Sequence, residues 1–227
     1  MAPRQLTLDL PVETRFGRDD FLVSPSNIDA FETFERWPAW PDRVLLLLGP
    51  TGAGKSHLGA IWAERVRARV LPGCALAGAD IAALAAGGPI LLEDVESARG
   101  IEAQLFHLLN LARSTQDCWL VITARSWPDT WGLRTPDLLS RLRLAPVVEI
   151  AEPDDALVRA VLVKLFIDRQ LVVDTAVVEY LALRIERSLA AARRVVEALD
   201  REALTKGRRI TRPMAGDVLR ELEAIRS

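Results

Sequence analysis

The sequence predicts an α/β fold in which helices flank a five-stranded parallel sheet and a small all-α domain follows. Up to residue 152, short aliphatic runs alternate with segments whose apolar residues recur at helical spacing. The run Val44–Leu48 consists of five aliphatic residues, which suits a parallel strand buried on both faces. Beyond residue 152 every apolar pattern is helical. We therefore expect an N-terminal peptide (1–15), an α/β domain (16–152) and a four-helix lid domain (153–227).

The boundaries of the elements follow from breakers and caps. The predicted strands are 44–48, 70–77, 90–94, 119–123 and 146–150, and the second is the weakest because Pro72 and Gly73 interrupt it. Helical spacing predicts helices over 28–37, 57–69, 79–86, 101–114 and 137–144. In the lid, capping residues at 154 or 155, 174, 188 and 211 begin four helices.

A phosphate-binding motif directly follows the first strand. The motif G-x-x-x-x-G-K-[ST] is matched by Gly49, Pro50, Thr51, Gly52, Ala53, Gly54, Lys55 and Ser56, and His57 continues into the helix. Glycines let backbone N–H groups turn inward as an anion nest at a helix N-terminus. Lys55 is expected to reach the β- and γ-phosphates, and Ser56 to offer its hydroxyl to Mg²⁺. An ordinary glycine turn would not need this Lys-Ser pair, so the sequence predicts a site for ADP or ATP.

Polar residues at two other strand ends belong to the same predicted site. Glu93 and Asp94 close the third strand, where acids face the Mg²⁺ and the attacking water in phosphate-loop proteins. Thr123 closes the fourth strand, either as a sensor of the γ-phosphate or as a simple strand cap.

Upstream of the loop, Leu22 and Val23 either cover the nucleotide base or belong to the core.

The first residues carry an alternating pattern, Gln5-Leu6-Thr7-Leu8-Asp9-Leu10, closed by Pro11. Alternate leucines lie on one side of an extended strand. An edge strand or a disordered tail would explain the pattern. Three leucines in a mobile tail are an apolar liability, however, and a peptide that docks extended into a partner's groove would supply a reason for them.

The composition limits the remaining possibilities. A net charge of −2 gives no general attraction to nucleic acid, although the basic stretch 201–212 could touch DNA or could form a solvated helix end. Cys74 and Cys118 lack metal-ligand spacing, so we expect buried, reduced thiols. Neither an N-terminal signal nor an apolar run of membrane length is present, which places the expected location in the cytoplasm, away from any membrane.

Taken in order, these motifs resemble the AAA+ ATPases. Asp137-Leu138-Leu139-Ser140-Arg141-Leu142 is similar to their arginine-finger box, and the segment 23–27 is similar to a segment of the replication initiator DnaA. The N-terminal peptide and the short chain resemble the Hda family, the DnaA-related regulatory inactivators. The resemblance implies that Gln5, Leu6, Leu8 and Leu10 bind the β sliding clamp of DNA polymerase. It also implies that Arg141 stimulates ATP hydrolysis by DnaA in trans and so limits re-initiation of replication.

Two residues depart from the family pattern. Glu93 stands where AAA+ proteins place Asp, which affects the expected magnesium geometry, and Ala190 stands where the sensor-two arginine of the lid is expected. Arg187 and Arg193 lie one turn to either side of Ala190 and are candidates to replace it. No helix-turn-helix follows the lid, so direct sequence-specific DNA binding is not expected. The alternative function is a nucleotide-gated adaptor resembling a helicase loader, without action on DnaA. The working nucleotide, the hydrolysis rate and homo-oligomer formation stay open.

Overall fold

The computed structural model describes residues 17–226 and contains a five-stranded, fully parallel sheet in the order β2-β3-β4-β1-β5. The strands are β1 (Val44–Leu48), β2 (Arg69–Pro72), β3 (Ile90–Glu93), β4 (Leu120–Ala124) and β5 (Val147–Glu149). The first five helices are α1 (Ile28–Glu35), α2 (Lys55–Val66), α3 (Ile81–Ala86), α4 (Glu102–Ser114) and α5 (Pro136–Arg143). The lid helices are α6 (Asp155–Asp168), α7 (Thr175–Ala182), α8 (Leu189–Lys206) and α9 (Arg212–Arg226). This arrangement confirms the predicted fold class.

The second strand is shorter than the prediction of 70–77. It ends at Pro72, which has no N–H to continue a ladder, and a 3₁₀ turn follows over Gly73–Gly78. Gly73 lies so close to Val95 that an added Cβ would stand 2.9 Å from the Val95 Cα. Within this turn Cys74 is exposed, so the expectation of a buried thiol was wrong for Cys74 and was confirmed for Cys118.

The sheet separates the helices into two layers. Alternate residues of β1 point to opposite faces: Leu46 packs into the core that contains α3, α4 and α5, whereas Leu45 and Leu47 pack into the core that contains α1 and α2. The helix that follows the phosphate loop therefore lies on one face of the sheet. The helix that carries Arg141 lies on the other.

The lid has a hydrophobic core of its own, formed by residues of α6 to α9 such as Leu162, Phe166 and Val196. The predicted caps Asp154, Asp174 and Ser188 accept hydrogen bonds from the first turns of α6, α7 and α8. Within residues 17–226, the structure contains no helix that is long and apolar enough to cross a membrane.

Candidate functional site

The phosphate loop joins β1 to α2 and has the backbone geometry of an anion nest. Gly52 and Gly54 adopt positive φ angles of 76° and 112°, and α2 begins at Lys55, two residues earlier than predicted. Gly49 is buried where an added Cβ would overlap the carbonyl oxygen of Ile150. The loop therefore follows a path that requires glycine and ends at a helix N-terminus, which is the arrangement that binds phosphate.

Lys55 is the buried cation of this loop. Its side chain is only 7% exposed, and Nζ donates hydrogen bonds to the carbonyl oxygens of Gly49 (2.6 Å) and Pro50 (3.0 Å). Burial lowers the pKa of Lys55 below its ordinary value of 10.5, while the carboxylates of Asp94 and Glu96 act in the opposite direction. The ammonium group thus lies within the electrostatic reach of the acids that follow β3.

The two acids predicted at the end of β3 have different environments. Glu93 is half-buried, and its Oε1 is buried with no hydrogen-bond partner among the described residues. Asp94 is exposed, adopts a positive φ of 52°, and donates its backbone N–H to the Thr123 hydroxyl oxygen at 3.1 Å. The unpartnered oxygen of Glu93 is a free acceptor for a cation or a water molecule. Ser56, on the first turn of α2, is exposed.

Thr123 lies within β4 and is 1% exposed. Because its hydroxyl oxygen already accepts the Asp94 N–H, its main visible role is to hold the turn that carries the acids. Contact with a γ-phosphate stays a prediction for this residue.

Among the described residues, no group of three or more His, Cys, Asp or Glu side chains could hold a metal ion. A Mg²⁺ ion at this loop would accordingly take most of its oxygen ligands from phosphate and water, as is usual for this ion.

The segment upstream of the loop divides into a core residue and surface residues. Phe21 is buried, stacks on Phe31 at 5.6 Å between ring centroids and meets the edge of His57 at 5.3 Å. Leu22 is half-buried, and Val23 is 46% exposed. Leu22 and Val23 are thus available to cover a nucleotide base, whereas Phe21 belongs to the core. Burial lowers the pKa of His57 below 6.5, which keeps this ring neutral near neutral pH.

The first turn of α8 packs directly on the phosphate loop. The Leu189 N–H donates to the Gly52 carbonyl oxygen at 2.8 Å, and a Cβ on Gly52 would overlap the Ser188 Oγ and stand 3.2 Å from the Ala190 Cβ. At this contact the lid presents small or apolar side chains to the loop. Arg187 is one of the two candidates to replace the sensor-two arginine that is missing at Ala190. Its guanidinium does not reach the loop in this contact but pairs with Asp155 of α6 at 2.9 Å.

Arg193, the second candidate replacement, is half-buried on α8. Burial lowers the pKa of Arg193, and its charge is close enough to His57 to contribute to the lowered pKa of that ring. The lid is also tied to the segment before the loop by an ion pair between Lys164 and Asp20 at 2.7 Å. The structure thus joins the lid, the loop and residues 17–21 through specific polar contacts.

Arg141 lies far from this loop. Its guanidinium stands over the Phe106 ring at 4.9 Å on the α4–α5 face of the sheet. Its carbonyl oxygen accepts a hydrogen bond from Arg113, which pairs with Asp42 just before β1 begins. The phosphate loop follows the other end of β1, about 16 Å away along the strand, and leads into α2 on the opposite face.

Two charged residues beside the loop were not predicted from the sequence. Glu96, in the 3₁₀ turn Val95–Ser97, pairs with Arg125, which directly follows β4. Their positions in the sequence could have indicated that they lie near the site. Glu96 follows Glu93 by three residues, and Arg125 follows Thr123 by two residues, at the end of the strand beside β1. The N-terminal residues Gln5, Leu6, Leu8 and Leu10 lie outside the described residues.

The sheet order, the phosphate loop and the lid define the AAA+ fold, and solved structures share it. Domain III of the Thermotoga maritima replication initiation protein DnaA aligns with a TM-score of 0.78 and 18% identity, over 93% of this chain and 98% of that chain. The Thermotoga maritima RuvB Holliday junction branch migration motor aligns with a TM-score of 0.71 and 20% identity, over 92% and 72%. AMPPCP-bound DnaA from Aquifex aeolicus aligns with a TM-score of 0.65 and 20% identity, over 83% and 65%.

The sequence of the lid is similar to that of one particular protein family. Residues 155–219 match the family model described as "Hda, lid domain". No curated protein matches the chain by sequence. The lid of this chain is thus similar to the lid domain of Hda, and the chain shares the fold of DnaA domain III over 93% of its length.

Proposed function

We propose that this protein binds ADP or ATP with Mg²⁺ at the phosphate loop, binds the sliding clamp through its N-terminal peptide, and stimulates ATP hydrolysis by DnaA. By converting ATP-bound DnaA to the ADP-bound form, it would limit re-initiation of replication. The observation that carries the proposal is the position of Arg141, which lies on the sheet face opposite the helix that follows the chain's own phosphate loop.

The residues at the loop fit a nucleotide. Backbone N–H groups at the start of α2 and the buried Lys55 supply positive charge for the β- and γ-phosphates. Ser56 and the unpartnered oxygen of Glu93 are the protein groups that would hold Mg²⁺. Asp94, an exposed residue on the same turn, would orient water. Leu22, Val23 and His57 would border the base.

Arg141 supports an action in trans. It lies on the sheet face opposite α2, and its backbone is held at the N-terminal edge of the sheet, so its own loop is out of reach. Within the box, Leu138 and Leu142 are fully buried, which anchors the helix turn that carries Arg141. Phe106 supports the guanidinium at 4.9 Å and leaves it half-exposed for a partner.

An arginine supplied in trans stabilises the negative charge that develops on the transferring phosphoryl oxygens. In GTPases this contribution is worth about 10³–10⁵ in rate. A surface ion pair, the main competing role for such an arginine, contributes under about 1 kcal/mol and has no catalytic effect. The described ion pairs do not include Arg141, which favours the role in trans.

One experiment separates this proposal from the adaptor function. The protein is added to ATP-bound DnaA with and without clamp loaded on DNA, and ADP production is followed. We expect rapid ADP production only when loaded clamp is present. Clamp binding without any increase in hydrolysis would contradict the proposal and favour a nucleotide-gated adaptor.

A further inference from the structure

The lid differs in charge from the rest of the chain. Residues 155–226 contain 14 Lys and Arg against 11 Asp and Glu, whereas the whole chain has a net charge of −2. Much of this excess lies in the basic stretch singled out above, because residues 206–212 hold four cations and no acid. Every residue of this segment except Ile210 is exposed. The positive charge of the lid is therefore concentrated at the turn between α8 and α9.

Two arginines contact one aromatic ring beside this turn. Tyr180 of α7 is half-buried, and its ring centroid lies 4.0 Å from the Cζ of Arg184 and 4.9 Å from the Cζ of Arg212. A cation–π contact holds a guanidinium in place without neutralising its charge. The two Cζ atoms are consequently at most about 9 Å apart. Two like charges at this distance repel, and an anion bound between them would remove the repulsion.

Four arginines of this region form no ion pair within the described part of the chain, and we call them the basic surface: Arg184, Arg208, Arg209 and Arg212. The neighbouring cations are paired, Lys206 with Glu202 and Arg220 with Asp217. Hydrogen bonding to Glu202 raises the pKa of Lys206, and the charges of Asp217 and Glu221 add to this effect. These acids thus lie near the turn but leave the basic surface with an excess of positive charge.

A shallow groove lies beside Tyr180. Its lining consists of Tyr180, Arg212, Pro213, Gly216, Asp217 and Arg220. At Gly216 an added Cβ would stand 3.0 Å from the Tyr180 hydroxyl oxygen, so the absence of a side chain leaves room for this hydroxyl. The groove therefore combines a hydroxyl donor with the Arg212 guanidinium, and both groups can donate hydrogen bonds to a phosphate.

Duplex DNA is the polyanion that fits the basic surface. Its backbone carries one negative charge per about 1.7 Å of helix axis, and the planar fork of arginine matches phosphate geometry. The chain is not helical from Arg208 to the start of α9 at Arg212 and spans up to about 13 Å there, so it can reach more than one phosphate. Protein–DNA interfaces are also much more positively charged than protein–protein interfaces.

We propose that the basic surface of the lid binds the phosphates of duplex DNA without reading the base sequence. Arg184 and Arg212 hold a phosphate at the groove beside Tyr180, and Arg208 and Arg209 contact neighbouring phosphates. The inference goes beyond the proposed function, which uses clamp loaded on DNA but assigns no DNA contact to this chain. On such DNA the lid gives the protein a second attachment besides its N-terminal peptide.

The test measures binding of a short fluorescent duplex by anisotropy at several salt concentrations, without clamp or DnaA. The dissociation constant should be about 10⁻⁴–10⁻⁶ M at physiological salt, the range of non-specific DNA binding. Log affinity should fall with log salt concentration with a slope of about −3 to −4, since each of four neutralised phosphates contributes roughly −0.9. Arg209→Ala combined with Arg212→Ala should make this slope shallower by about 2 and weaken binding at least about tenfold near 50 mM salt.

Two further variants separate local charge from net charge and from structure. Arg18→Ala combined with Arg36→Ala changes the net charge equally at two exposed arginines that are each ion-paired, so affinity and slope should stay unchanged. Arg209→Lys combined with Arg212→Lys keeps the charges and should keep the slope.

Three results would overturn the inference: no salt-dependent binding, equal losses in the two alanine double variants, or binding to one DNA sequence only. Polyglutamate that binds more tightly than DNA, and loses binding in Arg209→Ala with Arg212→Ala, would instead assign the surface to an acidic protein. Because clamp and DnaA are absent from this assay, its failure is distinct from a failure of the protein to stimulate DnaA.

Discussion

Replacing Gly52 by alanine tests whether the lid depends on the phosphate loop. Gly52 has a φ of 76°, and an added Cβ would overlap the Ser188 Oγ and stand 3.1 Å from the Ser188 Cβ. Ser188 is 4% exposed, and its Oγ caps α8 by accepting the Ala191 N–H. The Ser188 side chain cannot move by the roughly 1.4 Å that ordinary contact requires without loss of this cap or displacement of the lid.

The expected magnitude follows from these contacts. Left-handed backbone costs an alanine about 1–2 kcal/mol. Loss of the Ser188 cap, or of the hydrogen bond from Leu189 to Gly52, costs about 1 kcal/mol more. The free energy of unfolding should therefore fall by about 2–3 kcal/mol. For a chain of this size the melting temperature should fall by roughly 4–12 °C.

The assay combines thermal unfolding with amide hydrogen exchange of the first turn of α8. Gly132→Ala is the control for backbone strain, because Gly132 has a φ of 69° and nothing within 4 Å of an added Cβ. Gly78→Ala controls for the added methyl group alone, since nothing lies within 4 Å there either. If Gly52→Ala loses no more stability than Gly132→Ala and α8 exchanges as in the unmodified protein, the loop–lid contact does not have the role inferred here.

Three further predictions concern the nucleotide, the clamp and pH. Lys55→Ala should weaken ADP and ATP binding by roughly 100-fold or more, because two charge-assisted hydrogen bonds are lost, while the fold survives; unchanged affinity in calorimetry would refute the phosphate-loop assignment. Leu8→Ala combined with Leu10→Ala should abolish a micromolar clamp interaction, since each buried leucine is worth roughly 1.5–3 kcal/mol. Thr7→Ala should co-elute with the clamp normally, and co-elution of the double variant would contradict the peptide's role. Because burial lowers the pKa of His57, its contribution to stability should be complete above pH 6.5 and be lost as the pH falls through the lowered pKa. Melting curves across this range should show the loss in the unmodified protein and not in His57→Gln.

The sequence was sufficient for the parts of the site that depend on local patterns. The aliphatic run of β1 and the glycine spacing of the loop are local signals, and the structure places both as expected. The lid caps Asp154, Asp174 and Ser188 are equally local, because a cap bonds within its own first turn.

The sequence was not sufficient where residues meet through tertiary structure. Glu96 and Arg125 are 29 residues apart and pair only because the 3₁₀ turn after β3 returns beneath the end of β4. The close approach of Gly73 to Val95 likewise joins two segments that are distant in the sequence. The position of Arg141 relative to the loop depends on which face of the sheet α5 covers, which periodicity alone does not give.

The most direct test of the proposed function measures ADP production by ATP-bound DnaA with the Arg141 variants and clamp-loaded DNA. Arg141→Ala should keep nucleotide and clamp binding but lose stimulation, and Arg141→Lys should lose nearly as much, because an ammonium cannot reproduce the planar fork. Arg143→Ala, an exposed arginine of the same helix that pairs with Asp129, should stimulate normally. Full stimulation by either Arg141 variant would contradict the account and leave this arginine a surface residue.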